Sequence, residues 1–392
     1  MMKEKVSKLG FDFRIILVVY FLVVIVTSLQ SYFAHPTAMT LNGILYNHYN
    51  NYVIFKQSFF HLISNKDLYI LYPHEQWDLY KYSPTFALFM APMAYMPDFM
   101  GLIVWNLINA LPLFFAVKYF PLIDRKNKAM FLWFVLLELL IAIQNEQSNG
   151  LIAGLTILAF LFLEKRNYFV AALLVVFSAY IKLFGIVAFA LFLLYPDKWK
   201  SALYTIFWFV LLGVLPLITV SAHQLAFLYS SWGRLLAADH SASLGLSVMG
   251  WLNSWFSLNP SKNIVVVIGI LLFILPLIRI NKYKNLYFRM LLLSSILIWM
   301  IIFNHKAESP TFVVAVSGIA IWFFSQEKKT VLSKVLLIAT IAFTCLNTSD
   351  IYPGFVRDWF FDYTIKAVPC ILVWGVVIYE MMTKPFHKQG IE

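Results

Sequence analysis

The chain predicts an all-α polytopic membrane protein, and three observations predict it. First, its 392 residues are 61% hydrophobic and only 12% charged, more apolar surface than a soluble domain can hide. Second, apolar runs approaching the roughly 20 residues that cross a bilayer recur along its length; Ala202 to Val220 is one of them. Third, the connectors between runs are of two kinds. One is short and basic, as in Asp124-Arg125-Lys126-Asn127-Lys128, Glu164-Lys165-Arg166, Lys198-Trp199-Lys200 and Gln326-Glu327-Lys328-Lys329. The other is rich in His, Asp, Glu, Asn and Tyr. A spanning backbone must satisfy its own hydrogen bonds, so the runs are expected to be helices.

The net charge is +11. Lys and Arg concentrate in the short connectors, the positive-inside pattern, and form no stripe on a soluble element, so nucleic acid is not an expected partner. Cys345 and Cys370 lie alone in or near apolar runs, with neither a disulfide framework nor metal-site spacing. The basic start, Met1 to Arg14, leads into an apolar run without a clean small-residue cleavage site, so an uncleaved first helix is expected.

With the basic connectors assigned to the cytoplasm, the elements follow in order. Residues 15–29 lead out to a long external segment, 30–83. The stretch 84–119 returns. It holds a short piece before Pro97 and a longer one after it, and only the longer one is expected to cross, because two crossings would put Arg125 and Lys126 outside. Then 131–143 leads out, 151–163 back, 169–181 out, 184–195 back and 202–220 out to a second polar loop. Residues 264–280 return, 290–303 lead out, 312–324 return, 331–346 lead out and 368–381 return. The pattern predicts about twelve crossings, several shorter than a full span, with both termini cytoplasmic. No internal repeat and no linker divides residues 1–392, so a single domain is expected.

The reactive side chains collect on the other face. The first loop carries His48 to Lys56, then Asn65-Lys66-Asp67, then His74-Glu75-Gln76-Trp77-Asp78 and Lys81-Tyr82-Ser83-Pro84. Phe55, Phe59, Phe60, Leu62 and Ile63 fit one face of an amphipathic helix lying on the membrane. Gln144-Asn145-Glu146-Gln147-Ser148-Asn149 joins two apolar helices with more polar residues than a turn needs. Its amides and carboxylate suit sugar hydroxyls. Lys182 lies between two apolar helices far from the basic side, where it either snorkels or meets a phosphate. Asn304-His305-Lys306-Ala307-Glu308 is either an internally paired cluster or part of a site. Arg234, Asp239 and His240 share that face. His48, Asp67, His74, Glu75 and Asp78 lack diagnostic metal spacing, so a divalent cation is left open and no metal site is assigned. No Gly-rich phosphate loop is present.

Taken in order, Asn51-Tyr52, Phe55, Leu68-Tyr69, Tyr82-Ser83-Pro84 with Pro92 and Pro97, Gln144-Asn145 with Asn149-Gly150, and Ile181-Lys182 resemble the GT-C type polyprenyl-phosphate-dependent glycosyltransferases, particularly glycosyltransferase family 87. The resemblance covers residues 10–200 well and 201–392 loosely. It implies a GT-C-like bundle, a polyprenyl-phosphate sugar donor, mannose-like by analogy, and a glycan or glycolipid acceptor. It also implies an inverting displacement at the outer face of a bacterial plasma membrane.

Such chemistry needs a carboxylate to accept the acceptor's proton and cations for the leaving phosphate. The family's loop aspartate aligns with Asn51, which cannot act as a base. Asp67, Glu75, Asp78 and Glu308 remain as bases, with Asp78 and Glu308 preferred. Lys182, Lys81, His305 and Arg234 are expected at the phosphate, and Gln144, Asn145, Glu146, Asn149 and Tyr82 at the sugar. Two other readings stay open: a flippase for a lipid-linked sugar, which would place ionisable groups near mid-membrane, and an inactive relative acting as a partner.

Overall fold

The structure is a computed structural model that describes residues 10–38, 44–239 and 243–386; His240 lies outside them. Helices dominate. Thr37–Ala38 and Leu45–Tyr46 form a two-stranded antiparallel pair. Among the described residues five helices are long and apolar enough to cross a membrane: Phe13–Phe33, Asp98–Lys118, Arg125–Gln144, Lys198–Ile218 and Ile365–Thr383. The other apolar helices, among them Asn149–Glu164 and Tyr168–Ile181, are shorter. At 1.5 Å per residue they fall below the roughly 30 Å hydrocarbon thickness. Of the expected crossings, these five have the length and composition to span a bilayer.

The stretch before Pro97 folds as Pro84–Phe89 and Ala91–Ala94, helices of 6 and 4 residues, far too short to span. Ser83 caps the first, accepting from Phe86 N at 3.1 Å, and Pro84 fills the position where no backbone donor is needed. The same hydroxyl donates to Tyr180 O at 2.6 Å, which ties the first polar loop to the end of helix Tyr168–Ile181.

At Lys182 the chain is extended (φ −137°, ψ 126°) and reverses. The next element, Leu183–Leu194, is a 3-10 helix packed back along Tyr168–Ile181. Gly185 sits so close that a Cβ would come within 2.4 Å of Ser178 Oγ, and the Tyr168 and Tyr195 rings meet at the far end, 6.5 Å apart. A 3-10 helix rises about 2.0 Å per residue against 1.5 Å, so its shorter sequence reaches as far as its partner.

The helix Asn50–Ile63 differs from expectation. Phe55, Phe59 and Leu62 are buried, and Phe55 meets Tyr82, Phe86 and Trp105 edge-on at 4.9, 5.4 and 5.4 Å. Its apolar face is covered by protein rather than lipid. The periodicity showed an apolar face but not its cover, since aromatic rings satisfy it as well as acyl chains do.

Helix Asn149–Glu164 packs tightly on Asp98–Lys118 through a Gly150-x-x-x-Gly154 stripe. A Cβ on Gly150 would lie 2.8 Å from Asn109 O, and one on Gly154 would lie 2.6 Å from Leu113 N. Small residues permit such approach where no hydrophobic gain drives apolar helices together.

The two kinds of connector gather at two separate ends. At the basic end Arg289 makes two 2.6 Å bonds to Glu164, which also accepts from the Tyr195 hydroxyl. At the polar end Asn51 Nδ2 donates to Asn145 O at 2.8 Å, and Gln147 Nε2 donates to Glu308 Oε2 at 3.0 Å.

Glu138, deep in helix Arg125–Gln144, is paired with Lys366 at 2.7 Å, both fully enclosed. Lys366 Nζ also donates to Thr344 O at 3.0 Å. Removing one member strands the other charge in apolar surroundings, at a cost of about 3–5 kcal/mol. Lys366→Met alone is expected to lower the thermal unfolding midpoint in detergent strongly. The double variant Glu138→Leu/Lys366→Met is expected to recover most of that loss, and a single variant as stable as wild type would contradict this account.

Candidate active site

A cavity of about 670 Å³ opens at the polar end of the bundle. Four connectors build it: the first loop, the turn between residues 144 and 149, the reversal at Lys182, and the segment after helix Leu286–Ile302. Asn51, Asp78, Lys81 and Tyr82 line it from the first loop, Asn145 and Gln147 from the turn, and Lys182 from the reversal. His305, Lys306 and Glu308 close the other side.

Lys182 is held by neutral oxygens. Its Nζ donates to Asn149 Oδ1 at 2.8 Å and to Gln147 Oε1 at 3.1 Å, and it faces the rings of Tyr82 and Phe184, each 5.8 Å away. Among the described residues no carboxylate bonds it directly. Burial pushes its pKa down to about 8, partly opposed by Glu308, with Lys81 lowering it further.

Gln147 is the bridge. Its oxygen accepts from Lys182 and from Asn149 Nδ2 (2.8 Å), while its amide donates to Glu308. Asn149 Nδ2 also donates to Pro310 O at 3.0 Å. The two carboxylates of the cavity differ. Asp78 is ion-paired with Lys81 at 3.1 Å and accepts from Leu79 N at 2.7 Å. Glu308 is exposed to the cavity and takes the Gln147 amide.

Some expected site residues stand elsewhere. Arg234 is exposed on helix Ala222–Asp239 and donates to Ser230 Oγ at 3.0 Å; it does not line the cavity. Gln144, the last residue of its helix, is exposed and also outside the lining. Glu146 is buried, and its Oε1 makes no hydrogen bond among the described residues. Burial raises its pKa well above the carboxylate range. Its backbone is left-handed (φ 48°), which turns Glu146 inward beneath Trp105, whose Nε1 donates to Glu146 O at 2.6 Å.

The same turn delivers Gln147 to the cavity. The sequence marks Gln147 only as one of several amides suited to sugar hydroxyls, because nothing in the pattern marks a left-handed glutamate. Asp67 and Glu75, the other considered bases, are engaged away from the cavity, by Ser231 Oγ and His61 Nε2, both at 2.8 Å. Among the described residues no group of three or more His, Cys, Asp or Glu side chains is placed to hold a metal ion.

The described residues thus form a helical bundle of the membrane-protein kind with a cavity lined by lysines and amides at one end. The chain belongs to glycosyltransferase family 87, whose model matches residues 80–303, and it is therefore a membrane glycosyltransferase. Lys81, Tyr82, Asn145, Gln147 and Lys182 fall within that span; Asn51, Asp78, His305 and Glu308 fall outside it. No curated protein matches the chain.

The Lys182 ammonium is fully charged well below pH 8 and is lost as pH rises through about 8. For an anionic substrate, kcat/KM reports the free enzyme. It is expected to decline above pH 8, and this limb is expected to vanish in Lys182→Arg, whose charge persists. An unchanged alkaline limb in that variant would show that another group titrates.

Proposed function

We propose that this protein transfers a hexose, with mannose the best analogue, from a polyprenyl-phosphate donor to a glycan or glycolipid acceptor. The transfer occurs at the extracytoplasmic face of a bacterial plasma membrane, with inversion at the anomeric carbon. The observation that carries this reading is the Glu308–Gln147–Lys182 chain. It couples an accessible carboxylate to an ammonium whose charge no direct carboxylate partner neutralises, inside one cavity.

Lys182 is suited to the donor phosphate. Its neutral ligands orient it without cancelling its charge, and a buried cation gains more from an anion than one in water. Lys81 and His305 stand in the same cavity to assist. Glu308 is suited to act as base. Asp78, already neutralised by Lys81, is the weaker proton acceptor, and Asn51 serves as a tie to the 144–149 turn. In the transfer, the acceptor hydroxyl oxygen attacks the anomeric carbon and its proton passes to Glu308. The bond from the anomeric carbon to the phosphate oxygen breaks, and polyprenyl phosphate departs with the electron pair. Its additional negative charge develops beside Lys182. Glu308 then returns its proton to water. Asn145, in the cavity lining, is suited to the sugar, while Asn149, which is buried and outside the lining, orients Lys182 instead of the sugar. A flippase would use ionisable groups at mid-membrane, whereas the enclosed ionisable pair, Glu138 and Lys366, is already matched within the protein.

The test is release of free polyprenyl phosphate by purified protein given a panel of polyprenyl-phosphate sugars. Glu308→Gln is expected to reduce kcat by about 10²–10⁴-fold, the usual worth of a positioned base. Asp78→Asn is expected to reduce it less. Lys182→Met is expected to raise the donor KM by about 10–100-fold, the loss of a charge-assisted hydrogen bond. Wild-type transfer by Glu308→Gln would remove Glu308 from the mechanism, and no release from any donor would overturn the reading.

A further inference from the structure

A second cavity, of about 620 Å³, lies on the other side of Glu308. The segment from Asn304 to Pro310 is the partition. His305 and Lys306 face the first cavity, Ala307 and Ser309 face the second, and Glu308 lines both. The partition is braced from behind: Leu246 N donates to Ala307 O at 2.8 Å, and Gly245 (φ +59°) leaves no room for a Cβ beside His305 O, at 2.6 Å.

We propose that this second cavity binds the acceptor, and that what it recognises is an uncharged saccharide. The proposal rests on the glycosyltransferase reading and deepens it.

The charges of the two cavities differ in kind. The second is lined by Arg357, which meets the surface residue Asp350, and by Lys366, which meets the enclosed Glu138, each at 2.7 Å, and Asp362 and Glu308 add two carboxylates to its wall. The carboxylates of this wall disfavour a phosphate, whereas Lys182 across the partition is held, among the described residues, by neutral oxygens. What the second cavity offers instead is amides and hydroxyls: Asn253, Ser254, Asn347 and Thr348. Asn347 is itself buried. Ser309 Oγ is buried at the partition and has no hydrogen-bond partner among the described residues.

Such groups both give and accept hydrogen bonds, as sugar hydroxyls require, and a few convergent polar groups in a concave site set specificity. The rings of Phe360 and Phe361 supply an apolar wall for the C–H face of a pyranose. The walls are tied together, because Trp255 Nε1 donates to Tyr363 O at 2.7 Å. An acceptor sugar seated here would present a hydroxyl to Glu308 from the side opposite the donor, the relation that inversion demands.

The experiment uses the full chain, purified in a detergent without a sugar headgroup. The probe is octyl α-mannoside carrying a diazirine, with octyl α-mannoside and farnesyl phosphate as competitors. Adducts are expected on peptides bearing Asn253, Asn347 or Phe361. Octyl α-mannoside is expected to suppress them and farnesyl phosphate to leave them. In transfer assays with octyl α-mannoside as acceptor, Asn253→Ala/Asn347→Ala is expected to raise the acceptor KM about tenfold, as two lost hydrogen bonds would, with the donor KM unchanged. Adducts confined to the first-cavity peptides, competition by farnesyl phosphate, no specific labelling, or an unchanged acceptor KM would overturn the proposal. Cleavage of the donor by water in the same preparation separates the two readings. Cleavage without second-cavity labelling overturns only the acceptor site. The absence of cleavage and of transfer from every donor overturns the glycosyltransferase mechanism.

Discussion

Gln147 holds Lys182 with its carbonyl oxygen and Glu308 with its amide, and the geometry of the polar end depends on that double use. Three connectors distant in sequence meet at one side chain: the 144–149 turn, the reversal at Lys182 and the segment after residue 303. An amide is suited to this place because it has a donor and an acceptor at fixed separation. A carboxylate there would neutralise Lys182 and repel Glu308; a second cation would do the reverse. The neutral bridge lets opposite charges stand in one cavity without collapsing into an ion pair, so each remains available to a substrate.

Apolar packing sets the distance at which this bridge works. Gly150 and Gly154 bring helix Asn149–Glu164 against Asp98–Lys118, which fixes Asn149 at the helix start. Ser83 fixes the first loop to Tyr180, two residues before Lys182. The buried Glu138–Lys366 pair bears on the second cavity as well, since Lys366 contributes to its lining while its charge is already met.

Much of this architecture was legible in the sequence. Apolar runs and alternating connector types are direct physical consequences of a bilayer, and among the described residues five of the runs form helices long and apolar enough to cross one. The cavity also brings together Asn51, Asp78, Lys81, Tyr82, Asn145, Lys182, His305 and Glu308, residues singled out because polar groups beside apolar helices are costly without a purpose. What was not legible depends on backbone detail or distant pairing. The left-handed turn at Glu146 exchanges the expected carboxylate for Gln147. Lys366 gives no sign in sequence that it answers Glu138, 228 positions away. The face of helix Asn50–Ile63 reads as lipid-facing because hydrophobicity does not say what covers it.

The 3-10 helix after Lys182 has one more geometric consequence. With three residues per turn its side chains eclipse rather than wind, so Leu183, Ile186, Phe189 and Phe192 form one straight file parallel to the helix axis. Leu183 belongs to the cavity wall, and Leu183 and Ile186 are 44% and 51% exposed. An α-helix would have swept these positions around its circumference. Here the file starts one residue from the ammonium with its first two members exposed, and runs towards the basic end of the bundle, where Phe192 is buried in the core.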